Sequence, residues 1–242
     1  MTYEFINKAL FFPEKGILVV GDLHIGYDYM LRQSGILIPE RQVKEIISDL
    51  KEIIKEIREK RKQEISKIIF LGDIKHAFTY EFQERDEFLE IMDFLKTHVL
   101  EENIILVKGN HDTMDYTTEK TMKPYHIEEN VAFLHGHTHY PEIYDKRINL
   151  IISGHLHPAI ALAEDPGVKK EIFKCFLVGK SKGKDFVVIP SFVEFYEGTP
   201  VNDYKEEYIE SFSIIPEKDI LNADVHVIGG NKIYHFGKIK DL

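Results

Sequence analysis

The chain of 242 residues has one cysteine, no tryptophan and no excess of positive charge. It also lacks a long apolar run, a low-complexity tract and a Pro/Gly-rich linker. Each absence excludes something. The lone Cys175 cannot form an internal disulfide, and Met1 to Phe12 carries acidic Glu4 with no apolar stretch of signal-peptide or membrane-span length. A cytoplasmic protein without a membrane partner is expected. Lys and Arg number 31 against 41 Asp and Glu, a formal net charge of −10, which argues against coating long nucleic acid by counterion release. The Ile-, Lys- and Glu-rich vocabulary, with 30% charged residues, is similar to thermophile usage.

What is present is enough apolar material, 43% of the residues, for one substantial core. With no break in composition, a single domain over residues 1–242 is expected. Short apolar runs alternate with helical patterns, which reads as an α/β or layered α+β architecture. Strands are expected at Ile17 to Val20, Ile68 to Leu71, Ile104 to Val107, Val131 to Leu134 and Ile148 to Ile152. Their uniformly apolar sequences imply burial on both faces. A long helix opened by Pro39 would bury a stripe from Val43 to Ile57, its charged face in solvent. A second helix, around Arg85 to Thr97, would turn Phe88, Leu89, Met92 and Leu95 inward. From about 170 to 242, hairpin strands (Ile172 to Val178 with Phe186 to Ile189, and Val225 to Ile228 with Lys232 to Phe236) would complete the sheets. Six lysines from Lys169 to Lys184 read as a turn that keeps a hairpin soluble, with a substrate-facing rim as the alternative.

The chemistry lies at the ends of the apolar runs. They close in turn with Gly21-Asp22-Leu23-His24, Gly72-Asp73, Gly109-Asn110-His111-Asp112, His135-Gly136-His137 and Gly154-His155-Leu156-His157. Ligands of open α/β sheets sit beyond the carboxyl ends of strands, so these five clusters can converge on one cleft. Asp22 and His24, like His155 and His157, are two apart, and in an extended backbone such pairs point the same way and can clamp an ion from one side. The mixture of carboxylate, amide and imidazole suits borderline ions, with Mn²⁺ favoured and Fe, Zn, Co or Ni as alternatives.

The ordered set Asp-x-His, Gly-Asp, Gly-Asn-His-Asp, His, Gly-His-x-His over residues 17 to 158 resembles the calcineurin-like metallophosphoesterase superfamily. Within it, the stretches GDLHIGYDYMLRQSGILIP, LGDIKH, HGH, GHLHP and FVVIPSF are similar to the subgroup associated with DNA ligase. The resemblance implies an α+β fold, an αββα sandwich of two mixed sheets flanked by helices, with a binuclear metal centre at the strand ends. It implies that Asp22, His24 and His157 hold one ion, that Asn110, His135 and His155 hold the other, and that Asp73 bridges both. His111 would be the general acid, oriented by Asp112 or Asp22, and His76 would act near the substrate phosphate. Tyr27 and Arg32 are candidate substrate contacts.

Gly136-His137-Thr138-His139 also fits Gly-His-x-His. Choosing it would leave His155 and His157 unused and require His126, which comes after no evident strand, as the lone ligand. The later copy is therefore preferred. Alanine at His137 or His139 is expected to spare metal content, whereas alanine at His155 or His157 should reduce it, as elemental analysis of the purified variants would read.

The implied activity is hydrolysis of a phosphoester by a hydroxide bridging two divalent metal ions, a diester being favoured over a monoester. Nucleotides, cyclic nucleotides and nucleic-acid ends are the candidate substrates. The subgroup points to DNA-repair partners, and a homo-oligomer is left open. The alternatives are a phosphomonoesterase and a catalytically silent protein-binding scaffold that keeps the fold. A metallo-β-lactamase-type site would need His-x-His-x-Asp-His, and His135 to His139 lacks the Asp-His.

Overall fold

The structure, a computed structural model, describes residues 1–78, 82–113, 121–163, 170–203, 213–230 and 232–242. The first sheet runs β1 (Glu4–Ile6), β2 (Ala9–Phe12), β3 (Ile17–Val20), β4 (Lys67–Phe70) and β5 (Ile104–Leu106) in that spatial order. Its first three strands meander antiparallel, whereas β3, β4 and β5 are parallel. The second sheet contains β6 (Tyr125–Glu128), β7 (Val131–Leu134), β8 (Leu150–Ser153), β9 (Pro158–Leu162), β10 (Glu171–Ser181), β11 (Lys184–Val188), β12 (Thr199–Pro200), β13 (Asp224–Gly229) and β14 (Lys232–Lys238). Its main path is β12-β9-β10-β11-β8-β7-β6, with β13 on β10 and β14 on β13. Strands β7, β8 and β11 are parallel. Both C-terminal hairpins thus extend this sheet, and Asn231 of the second turn lies outside the described residues.

Strand alternation assigns each apolar side chain to a layer. Ile17 and Val19 of β3 meet Phe133 and Ile152 of the other sheet in the central core, where Phe12 packs edge-on against Phe133. Leu18 and Val20 face the opposite way, onto helices α2 (Gln42–Lys55) and α3 (Phe82–Lys96), α1 (Tyr27–Gln33) being short. The outer face of the second sheet is covered by α4 (Glu217–Leu221), by Ile143 of the 3-10 helix Pro141–Tyr144 and by the turn residue Val201. The result is the expected sandwich of two mixed sheets with a few flanking helices. Strands β2, β3, β7 and β8 are buried along their whole length, because helices or loops cover each sheet's outer side.

Three expectations need correction. Helix α2 begins at Gln42, beyond Pro39, because the Asp28 carboxylate of α1 accepts the N–H groups of Arg41 and Gln42 and so fixes its first turn from outside. In α3 the buried stripe is Phe88, Ile91, Met92 and Leu95, a three-and-four spacing that leaves Leu89 at 37% exposure. The lysine stretch is not uniformly a solvent turn. Lys184 is buried and donates to the carbonyls of Asp145 (2.8 Å) and Ile148 (2.6 Å), and Lys174 reaches under a neighbouring loop. Lys170 pairs with Asp203 and Lys180 with Asp185 at the surface, and Lys169 lies outside the described residues.

Candidate metal centre

The carboxyl ends of β3, β4 and β5 in one sheet and of β7 and β8 in the other open onto the same edge of the sandwich. Hydrogen bonds from Asp22 N to Gly72 O (3.1 Å) and from His24 N to Asp73 O (2.9 Å) zip the first two loops together. Gln42 of α2 locks the outcome, its Nε2 donating to Leu23 O (3.0 Å) and His24 O (2.8 Å).

The ligand pairs are not extended, as i, i+2 spacing on a strand would have it. Asp22, His24, Asp73, His155 and His157 all take left-handed backbone, with φ from 42° to 67°. That conformation costs about 1–2 kcal/mol for a residue with a side chain. Five such residues gathered at one edge are backbone strain concentrated where side chains must converge. Two glycines make room for them: a Cβ on Gly109 would overlap the Asp73 carboxylate, and one on Gly154 would overlap that of Asp22. Gly109→Ala should therefore displace Asp73, cost roughly 1–3 kcal/mol of stability by overpacking and leave fewer than two ions per chain, as a thermal melt and elemental analysis would show.

Asp22 and Asp73 are buried beneath a ring of imidazoles. Asp22, His24, Asp73 and His157 each offer a ligand atom within 4.8 Å of the others, and so do Asp73, His135 and His155. Asn110 Oδ1 lies 3.0 Å from His135 Nε2 and joins the second set. Asp73 Oδ2 is the common vertex, 3.3 Å from His135 Nε2, 3.8 Å from His24 Nε2 and 3.9 Å from His111 Nε2. His24 Nε2 and His157 Nε2 face each other at 3.2 Å. A third set, His24, His76 and His111, shares His24 with the first.

The protonation pattern fits a cation. Burial tends to raise both carboxyls, but His157 for Asp22 and His135 for Asp73 outweigh it and hold them below the usual range, so both are ionised. Burial, reinforced by His157, pushes His24 well below 6.5, and burial with the charge on His135 pushes His155 down to about 3. Those rings are neutral and have a nitrogen lone pair to give.

His135 is different. Burial lowers it, but its hydrogen bond to Asp73 and the charges of Asp73, Asp22 and Asp112 override this and raise it to about 9. Its Nδ1–H donates to Leu71 O at 2.9 Å, which leaves Nε2 directed at Asp73 and Asn110. With a folded value near 9 against an ordinary 6.5, the charged ring stabilises the metal-free fold fully below pH 6.5. This contribution disappears as pH rises through about 9. An imidazolium cannot ligate, so metal affinity should climb by up to about tenfold per pH unit across that window with one proton released. Calorimetry in buffers of different ionisation enthalpy checks both.

The orienter of His111 is neither Asp112 nor Asp22. Its Nδ1–H donates to His76 O at 2.5 Å, while Asp112 accepts the N–H groups of Gly109 (2.8 Å) and Ile74 (3.1 Å) and braces the loops instead. His111 N–H also donates to Asp73 Oδ1 at 2.9 Å. The His76 ring lies nearly parallel to that of His111, and burial with repulsion from His111 pushes it down to about 4. Tyr27 packs edge-on against His76 and faces the same cavity. Arg32 does not reach the centre: it pairs with Asp28 and Glu40. His137 borders His135 and His155 at ring distances of 5.1 and 5.9 Å, whereas exposed His139 stacks on Tyr144.

A cavity of about 190 Å³ opens on this cluster, walled by His24, Tyr27, His76, His111, His157, Val193 and Tyr196. Val193 and Tyr196 are additions to the residues expected at the site. They come from the loop after β11, a further parallel strand whose carboxyl end reaches the same edge, and Phe192 N–H ties that loop to Gly21 O (3.1 Å) and Asp22 O (3.2 Å). The signal for them is the Ile189-Pro190-Ser191-Phe192 ending, an apolar strand closed by a turn residue like the other five.

Two buried carboxylates beneath imidazoles at the strand ends of a two-sheet sandwich form donor sets that could hold metal ions. The description of calcineurin-like phosphoesterases matches residues 16–145, more than half of the chain, and the chain belongs to that family. Among solved structures, the nuclease MPE of Pseudomonas putida is 18% identical with a TM-score of 0.61, the likeness covering 97% of this chain and 100% of that one. Zinc-complexed Vps29 of Entamoeba histolytica is 14% identical with a TM-score of 0.37, over 91% and 96% of the two chains. A predicted phosphoesterase of Streptococcus pneumoniae is 12% identical with a TM-score of 0.35, over 92% and 97%. A search among curated proteins finds no match. The chain is thus a metal-dependent phosphoesterase of the metallophosphoesterase class, and no helix among the described residues is long and apolar enough to cross a membrane.

Proposed function

We propose that the chain is a binuclear phosphodiesterase acting on nucleotide, cyclic-nucleotide or nucleic-acid-end phosphodiesters. The observation that carries this reading is the pair of donor sets joined at Asp73, with the His111 ring beside the join. Asp22, His24, Asp73 and His157 would hold one ion, and Asp73, Asn110, His135 and His155 the other, Mn²⁺ being favoured. When bound, two divalent ions supply Lewis-acid activation of water and charge compensation at the phosphate oxygens.

The rest falls to the chain's own side chains. With Nδ1–H engaged on His76 O, His111 presents Nε2 to the cavity, where its protonated form can give a proton to the departing alkoxide oxygen. An alkoxide needs that proton far more than a stable leaving group does, so His111 suits alkyl esters of phosphate. His76, neutral in mid-range pH, would hydrogen-bond a phosphate oxygen without adding charge. Partners in DNA repair belong to the same reading on the sequence resemblance, and a cytoplasmic location belongs to it on the lone Cys175.

The test is to strip the protein of metal, reload it with Mn²⁺, Zn²⁺ or Mg²⁺, and offer a simple diester, a monoester, cyclic nucleotides and DNA ends. Mn²⁺-restored hydrolysis with the diester preferred is expected. A strong monoester preference would remove the diesterase assignment, and failure of every metal to restore any hydrolysis would remove the reading altogether.

A further inference from the structure

The loop after β11 lies between the metal-ligand backbone and a buried amine. On one side, Phe192 N–H is bonded to Gly21 O and Asp22 O, and the Tyr196 ring meets the His157 ring edge-on with centroids 5.2 Å apart. On the other side, Lys174 of β10 donates from Nζ to Ser191 O (3.0 Å), Ser191 Oγ (3.2 Å) and Val193 O. Three acceptors match the three N–H donors of an ammonium group. A second lysine braces the same loop: Lys8 Nζ is bonded to Asp49 Oδ2 (2.6 Å) and Glu194 Oε2 (2.8 Å), 5.0 Å from the centre of the Phe192 ring.

Burying a lysine where most of its acceptors are neutral oxygens is expensive. Burial, with repulsion from Lys8, pushes Lys174 down to about 7 against the opposing pull of Glu194, Asp22 and Asp49. An apolar residue at 174 would avoid that cost but leave two loop carbonyls unpaired. The amine therefore sets where Val193 and Tyr196 stand. Tyr27 lines the same cavity with a second ring, and burial with the neighbouring Tyr196 hydroxyl raises its own pKa.

We propose that Lys174 is a positioning residue that holds the loop of residues 191–196 so that Val193 and Tyr196, together with Tyr27, form an apolar wall for a flat aromatic group of the ester bound at the centre. This rests on the phosphoesterase reading of the centre and narrows its substrates to esters that carry a flat aromatic ring within reach of that wall.

The test uses Mn²⁺-loaded protein and two ligands that are not hydrolysed, phenylphosphonate and methylphosphonate, with affinities measured by calorimetry. Wild type should prefer the phenyl compound by about tenfold, the size of one stacking contact. Lys174→Met and Tyr196→Ala should each abolish most of that preference, and the double variant should lose no more than either alone, since one residue acts through the other. Additive losses, or an intact preference in Lys174→Met, would overturn the positioning role. No phenyl preference in wild type would overturn the wall itself. Should Lys174→Met fail to fold, Ser191→Ala removes one of the three acceptors and should lower the preference about threefold, and no change there would equally contradict the proposal. Because binding is read without turnover, a failure of the diesterase assignment shows separately, as absent hydrolysis with the phenyl preference retained.

Discussion

Asp73→Asn should lower kcat by roughly 10³ and leave at most one tightly held ion, because a contribution of several kcal/mol from paired ions converts to about that factor. Asp73 is the one side chain that belongs to both four-donor sets. Its carboxylate is kept ionised against burial by His135, His24 and the backbone N–H of His111. An amide keeps the shape and can still accept from His111 N–H, so the fold should survive. What it lacks is the charge that balances two dications and a second equivalent oxygen. His135 should also lose its elevated proton affinity, since Asp73 is the chief group raising it. Metal analysis, steady-state kinetics on a simple diester, and an NMR titration of the His135 ring read the three consequences independently.

His111→Asn should lower kcat by about 10²–10⁴ on an alkyl diester, the range of a lost general acid. On a p-nitrophenyl diester the loss should be much smaller, because that phenolate departs without a proton. Metal content should stay at two per chain. The count matters because His111 also stands with His24 and His76 in a set that could ligate. Loss of an ion in this variant would make His111 a ligand and take away its role as acid. An equal rate loss on both esters would do the same by a different route.

The layers are legible in the sequence because burial on both faces leaves a plain mark. Ile17 to Val20 and Val131 to Leu134 have no polar position, and each observed strand carries that burial. Likewise legible is the convergence of Asp22, Asp73, Asn110, His135, His155 and His157, since a polar donor directly after such a run lies at a strand's carboxyl end. Backbone conformation is not. The left-handed turns at Asp22, His24, Asp73, His155 and His157 depend on hydrogen bonds between loops far apart in the chain, such as His24 N–H to Asp73 O. The start of α2 is hidden for the same reason, its first amides being received by Asp28 of another helix. The orienter of His111 is a backbone carbonyl, which no residue type announces. Lys174 reads as solvent-facing in the sequence because a lysine's burial depends entirely on the acceptors brought to it, here from Ser191 and Val193.

One carboxylate, that of Asp73, is expected to join the two ions. Electron paramagnetic resonance of Mn²⁺-loaded protein, with elemental analysis of the same sample, tests it most directly. Two Mn²⁺ per chain with an exchange-coupled spectrum, replaced by an uncoupled signal in Asp73→Asn, is the predicted result. A single Mn²⁺ per chain, or two whose spectrum is uncoupled in wild type, would contradict it.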